Sequence, residues 1–236
     1  TYQPTFHVDP KVWRVDVYNM GTFYYEGLYI GMPSMFHSTG KVPNYPNTDG
    51  FHVVKLVMSR DLKTWIRLGD RQAFIGPSRL GSGAYDLTQI LCPSAPVVRD
   101  DELWFYYRGL NNRGPDKGTW RQASGVAILR RDGFASLNAT DEPGLVITRP
   151  LAFEGEGKLF VNADVATNGY VRASVIAEDG SAIDGFTEDD CQPVAKDSTC
   201  SRVGWGRNET LGNLKDRYVR LAFHLTSAKL YSFWFE

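Results

Sequence analysis

Asp16, Asp86, Trp104, Tyr107 and Arg108 are the side chains in this sequence best suited to touch a small ligand. Asp16 precedes Tyr18-Asn19-Met20 on an apolar strand, and Asp86 comes just before a matching strand, so each carboxylate can sit at a strand end that faces a ligand or can cap a turn there. Trp104 and Tyr107 offer flat aromatic faces on which an apolar patch of a ligand can stack, and Arg108 adds hydrogen-bond donors. The same alternation of aromatics also suits packing between sheets. Glu26 falls in Tyr25-Glu26-Gly27, which reads as a solvated turn. The remaining reactive types form no motif. His7, His37, His52 and His224 have no metal-ligand spacing. Ser82, Ser94 and Ser124 lie in no G-x-S-x-G context, and Gly81-Ser82-Gly83 is a turn rather than a phosphate loop. The Glu188-Asp189-Asp190 cluster lacks the alternating ligands and glycine of a calcium loop and reads as a solvated acidic loop. The expectation is therefore no metal and no cofactor.

The elements that must position these residues are strands. The chain has 236 residues, with 26 Lys and Arg against 27 Asp and Glu, and no basic run, which argues against a nucleic-acid partner. No apolar run reaches the length needed to cross a bilayer, and the opening TYQPTFHVDP has neither a charged n-region nor an apolar h-region, so a soluble mature chain or fragment is expected. Gly 23 and Pro 12 are spread along the chain, and aromatics make up 13% of it, a pattern of many short strands joined by turns.

Two copies of a loose repeat occupy the first part. Each has an apolar strand, a short acidic turn, an aromatic strand, a polar excursion, a third strand, a tight turn at Arg60-Asp61 or Arg131-Asp132, and a fourth strand. Four antiparallel strands per copy match a propeller blade. The fold class expected is all-β: a partial β-propeller over 1–149, with blades at about 11–76 and 86–148, then a β-sandwich over 150–236. Two blades cannot close a ring, so a partner chain or self-association is expected to complete it. In the second part Val171, Ala173 and Val175 alternate with Arg172 and Ser174, and Glu178-Asp179-Gly180-Ser181 is a hairpin turn. No segment reads as a helix beyond one turn at 211–217.

Cys191 and Cys200 flank a polar loop and are close enough in sequence to form a disulfide, for about 2.5 kcal/mol on the chain-entropy treatment. Cys92 stands alone. The sequons at Asn138 and Asn208 agree with glycosylation and, together with the cysteine pair, with a secreted, extracellular protein.

The run Ser59-Arg60-Asp61-Leu62-Lys63-Thr64-Trp65 resembles the S-x-D-L-x-x-W hairpin of five-bladed propeller glycoside hydrolases, the clan that holds families 32 and 43. Gly83-Ala84-Tyr85-Asp86, Pro96-Val97-Val98 and Leu103-Trp104-Phe105-Tyr106-Tyr107-Arg108-Gly109 resemble the strand pair that leads to an aromatic motif there, and 160–233 resembles the β-sandwich tail of family 32. The resemblance implies carbohydrate as ligand and a chain similar to the C-terminal portion of a secreted family 32-type enzyme. That family works with three carboxylates in W-x-N-D-P-N-G, R-D-P and E-C motifs, and none of these motifs occurs here: Asp9-Pro10 lacks the flanking Asn and Gly, and both Arg-Asp pairs continue with Leu62 or Gly133. Hydrolysis with retention needs two carboxyls about 5 Å apart. The resemblance thus implies a chain inactive alone, or a non-catalytic, lectin-like glycan-binding protein.

Overall fold

The computed structural model describes residues 6–112, 120–215 and 217–236. The first five residues, the middle of the second copy's polar excursion at 113–119, and Asp216 lie outside the described residues. Among the described residues the chain is all-β, built of antiparallel sheets, none of them closed. The expected turn at 211–217 is a 3-10 turn at Gly212–Leu214. No helix among the described residues is long and apolar enough to cross a membrane. The chain divides into two compact units, Thr1–Leu129 and Arg130–Glu236, so the boundary falls earlier than the change of texture near Pro150 suggests.

In the first unit, β1 (Arg14–Tyr25) and β2 (Leu28–Lys41) form a long hairpin. Its turn is Glu26-Gly27, with φ of 44° and 79°. Both values lie in the left-handed region that a two-residue hairpin turn demands, which glycine supplies without strain. β3 (Thr48–Val54) and β4 (Val57–Ser59) both pair with the far edge of β2 and together make a third strand interrupted at Lys55-Leu56. β5 (Ile66–Arg67) follows beside β4. The four positions run in sequence order, as alternating apolar segments joined by short turns should. Asp61 builds the last of those turns: its Oδ1 accepts from the backbone N–H groups of Lys63 and Thr64 at 2.9 and 2.8 Å and from Ser59 Oγ at 3.0 Å. These bonds hold its carboxyl below the usual range. The ring of Trp65 lies against Gly31, where a Cβ would stand 2.8 Å from it.

The second sheet holds β6 (Gln89–Leu91), β7 (Val97–Arg99), β8 (Glu102–Leu110) and β9 (Gln122–Arg130). β6 and β7 pair with opposite ends of β8 and together form its first strand, broken at the Pro93–Pro96 segment. The two sheets of this unit share a core of Ile30, Met32, Val54, Ile90, Leu103 and Phe105. Phe105 meets Phe23 and Phe74 with ring centroids 6.2 and 5.5 Å apart, and Ser34 Oγ donates to the Ile90 carbonyl at 3.0 Å.

The fourth strand expected in the second copy does not join that sheet. Leu137–Ala139 is β10, and it pairs with Ala228–Leu230 of β14 (Val219–Phe235) in the second unit. β11 (Gly144–Ile147) pairs with 222–225 of the same strand. The physical reason is the length of β14: one edge is taken by β12 (Leu159–Ala177), and the other offers unpaired backbone groups that β10 and β11 satisfy. β13 (Ser198–Arg202) completes one five-stranded sheet on the far side of β12. Val161, Val171, Ala173, Val175, Leu221, Phe223 and Leu225 face a core closed by Phe186 and Trp205. The indole Nε1 of Trp205 donates to the Ala173 carbonyl at 2.6 Å.

The expected Cys191–Cys200 disulfide is corrected here, because no bond joins the two. Cys191 is turned into the core, where its Sγ accepts from the Ala173 N–H at 3.2 Å, whereas Cys200 lies on the exposed side of β13. Burial raises the Cys191 thiol above its usual range.

At Gly21 the hairpin touches the second sheet, since an added Cβ would stand 2.0 Å from the Pro93 carbonyl oxygen. Backbone cannot swing aside as a side chain does. Gly21→Ala is expected to cost about 1–3 kcal/mol, the usual range for overpacking, measured as a lower urea midpoint at unchanged m-value.

Candidate functional site

The five expected ligand residues fall into separate groups. Asp16 lies on exposed β1 and is paired with Arg14, Nε to Oδ2 at 2.7 Å. Trp104 and Arg108 share one face of β8, while Tyr107 lies on the other, as alternation along a strand requires. Trp104 Nε1 donates to Glu102 Oε2 at 2.7 Å, and the Arg99 guanidinium sits 4.3 Å above its ring. Arg108 donates to Gln122 Oε1.

Asp86 and Tyr107 do meet. The phenol of Tyr107 donates to Asp86 Oδ2 at 2.7 Å and receives the hydroxyl of Tyr85 at 3.4 Å. Two glycines make the room: a Cβ at Gly109 would meet Asp86 Cβ at 2.4 Å, and one at Gly125 would meet the Tyr85 hydroxyl at 2.0 Å. Asp86 is only 5% exposed. Burial first, then the bonds to Tyr85 and Asp86, push the Tyr107 phenol well above its usual range. The arrangement is a hydrogen-bonded carboxylate under a sheet, with the phenol as its donor.

A more open site lies at the other end of the β1–β2 hairpin. Register sets Val15 opposite His37 and His37 opposite Phe51, so these three share a face with Trp13 and Thr39, two positions away along their chains. The His37 and Phe51 rings stack 4.8 Å apart, at 1°. The segment before β1 closes one side. Asp49 is buried, and its Oδ2 accepts from the His7 backbone N–H at 2.8 Å and contacts His7 Nδ1. Asp9 caps the turn Pro10–Val12, which delivers Trp13 with its indole Nε1 bound to the Thr39 carbonyl at 2.9 Å and 60% of its surface exposed. Val8, Trp13, Arg14, Val15, His37, Ser38, Thr39 and Phe51 line a groove of about 410 Å³. That volume is in the range of small-ligand sites.

Polar atoms in this wall are left over. His37 Nε2, Ser38 Oγ and Thr39 Oγ1 are buried with no hydrogen-bond partner. Buried polar atoms are nearly always satisfied, so an unfilled trio beside a groove points to partners that come from outside the chain. Burial, then the positive charge of Lys55, holds His37 below the usual imidazole range, so it stays neutral and can donate or accept. Among the described residues no Asp or Glu lines the groove. Its lining combines aromatic faces with neutral polar groups. Asp16 reaches it only through Arg14. From the sequence, His37 is weighed only as a metal ligand, for which the spacing is wrong, and neither Trp13 nor Phe51 is considered. The signal was an aromatic or histidine at each of three positions that only the pairing of three strands brings together.

Among the described residues no group of three or more His, Cys, Asp or Glu side chains could hold a metal ion. Asp190 of the acidic loop instead accepts from Thr187, at 3.0 Å from its N–H and 2.6 Å from its hydroxyl. Of the two sequon asparagines, Asn138 is exposed on β10 and accepts from Ser136 Oγ at 2.6 Å. Asn208 is half-buried, and the amide nitrogen that a glycan would take donates to the Gly185 carbonyl at 3.0 Å. Cys92 is half-buried, with Sγ accepting from the Gly21 N–H at 3.3 Å and its thiol pushed up by burial. Compared with known proteins, the chain matches no protein-family model and no curated protein.

Removing the phenol tests the Asp86 account. Tyr107→Phe leaves a buried carboxylate without its donor and is expected to cost about 1–3 kcal/mol, read by urea denaturation. In the native protein the raised Tyr107 value stabilises the fold below the unfolded tyrosine value near 10, and that stability declines as pH rises beyond it. Ultraviolet difference titration should show the Tyr107 component ionising only on alkaline unfolding in the native protein, and that component should be lost in Tyr107→Phe.

Proposed function

We propose that this chain is a carbohydrate-binding protein that holds a glycan in the groove between Trp13, His37 and Phe51, without hydrolysing it. The observation that carries this reading is the combination of an exposed indole, a stacked imidazole–phenyl pair and three buried polar atoms lacking partners in one groove. A sugar ring presents apolar C–H faces and hydroxyls that can donate and accept, which is the complement of such a wall. The resemblance to the clan of families 32 and 43 points to the same ligand class. In support of a blade-like organisation, the first sheet runs in sequence order as an antiparallel meander. β1 is an edge strand on which Val17 and Tyr18, outside the groove lining, are 61% and 58% exposed, which supports further blades, from self-association or a partner chain, packing there. The five strands of the second unit are our candidate for the sandwich tail, and exposed Asn138 is the better candidate for glycosylation in a secreted protein.

A family 32-type glycosidase is the competing reading. It needs paired carboxyls at the sugar, and the groove's described residues supply none. A glycan array followed by a hydrolysis assay on the bound sugars separates the two. Binding without product, reduced at least about tenfold (~1.4 kcal/mol) by Trp13→Ala, is the expected result. Cleavage by the isolated chain, or binding unchanged in Trp13→Ala, overturns it.

A further inference from the structure

We propose that Ser174, His224 and Glu188 form a nucleophilic serine relay that takes the acyl group of a small carboxylic ester. The three belong to the second unit and are independent of the groove. Ser174 lies on β12 and His224 on β14, on the side of the sheet opposite Val171, Ala173 and Val175. Register pairs Arg172 with His224 and Ser174 with Ala222, which sets the imidazole diagonally across from the serine. Ser174 Oγ is 3.0 Å from His224 Nε2, and His224 Nδ1 is 2.9 Å from Glu188 Oε2. The carboxylate accepts the Nδ1 proton, which leaves the Nε2 lone pair facing the serine hydroxyl. That is the division of roles by which an acid orients a base and the base activates a nucleophile.

A second observation concerns charge. The Nε atoms of Arg172 and Arg220 are both buried without a hydrogen-bond partner. Arg172 precedes Ser174 by two residues on the same face, and Arg220 is opposite Ile176, two residues beyond it. Both arginines thus share the serine's face of the sheet, Arg172 with its guanidinium 5.5 Å over the Tyr170 ring and Nη1 donating to the Glu188 carbonyl at 3.4 Å. Ala222, directly opposite, presents only a methyl group. Fixed donors beside a nucleophile are what a developing oxyanion requires. Ser174 is 8% exposed, which favours a small acyl group such as acetyl.

The chemistry balances without a further reagent. Ser174 Oγ adds to the ester carbonyl carbon as its proton passes to His224 Nε2, and the carbonyl electron pair moves onto oxygen beside the guanidinium groups. Collapse of that intermediate breaks the bond to the alcohol oxygen, which leaves with the proton from His224. Water then adds to the acyl-serine, gives its proton to His224, and the proton returns to Ser174 as the carboxylic acid departs.

The test uses the full chain, a fluorophosphonate probe and p-nitrophenyl acetate, with peptide mapping by mass spectrometry. The expected result is an adduct on Ser174 in preference to exposed Ser94, and acetate ester turnover lost in Ser174→Ala. Labelling should slow at least about 100-fold in His224→Gln and about tenfold in Glu188→Gln. Thermal melts of each variant check that the fold is kept. A second arm needs no turnover: in Ser174→Cys, iodoacetamide at neutral pH should alkylate position 174 faster than Cys200, and His224→Gln in that background should remove the advantage. Labelling of Ser174 no faster than Ser94, or alkylation of Ser174→Cys indifferent to His224, overturns the proposal and leaves the three side chains as a hydrogen-bonded strut.

Discussion

The register of β2 against both of its neighbours is the constraint on which the first unit depends. Because side chains alternate with a period of two, a slip of one residue would exchange the two faces of the strand. His37 and Thr39 would leave the groove, and Met32 and Phe36 would leave the interior. The register is pinned at one end by the Glu26-Gly27 turn and at the other by the His7–Asp49 contacts, which tie the preceding segment across Gly40. A Cβ at Gly40 would stand 2.2 Å from the His7 carbonyl oxygen, so the close approach of that segment depends on glycine.

The same geometry favours the proposed binding over reaction at this site. Asp49 is spent on holding His7, and the two carboxylates expected to face a ligand, Asp16 and Asp86, are bound to Arg14 and Tyr107. A glycosidase needs one carboxyl kept protonated and one free to act beside the same sugar. What remains uncommitted at the groove is a neutral imidazole, two hydroxyls and aromatic surface. These groups are the basis of the proposal that the groove takes a polyhydroxylated ligand.

Local chemistry was legible in the sequence where neighbours along the chain decide the structure. Glu26-Gly27 and Glu178-Asp179-Gly180-Ser181 read as turns because their residues tolerate the backbone needed, and the alternation of Val171, Ala173 and Val175 reads as a strand because burial follows it. Pairings between distant segments were not legible. Leu137 could have followed β9 into a fourth position, yet it pairs with Leu230, a choice set by the spare edge of β14 and by no feature of Leu137 itself. Cys191 and Cys200 are near in sequence and face different surroundings. Trp13, His37 and Phe51 come from three strand regions, and Ser174, Glu188 and His224 from two strands and a loop. Neither group has a spacing that a motif could express.

The most direct test of the central claim is a two-dimensional NMR titration of the chain with oligosaccharides, following the Trp13 indole and His37 ring signals together with the anomeric protons of the sugar. The account predicts saturable shifts at Trp13 and His37 while the anomeric signals keep their linkage pattern. Unmoved Trp13 and His37 signals in the presence of a bound sugar, or the steady appearance of free reducing ends, would contradict it.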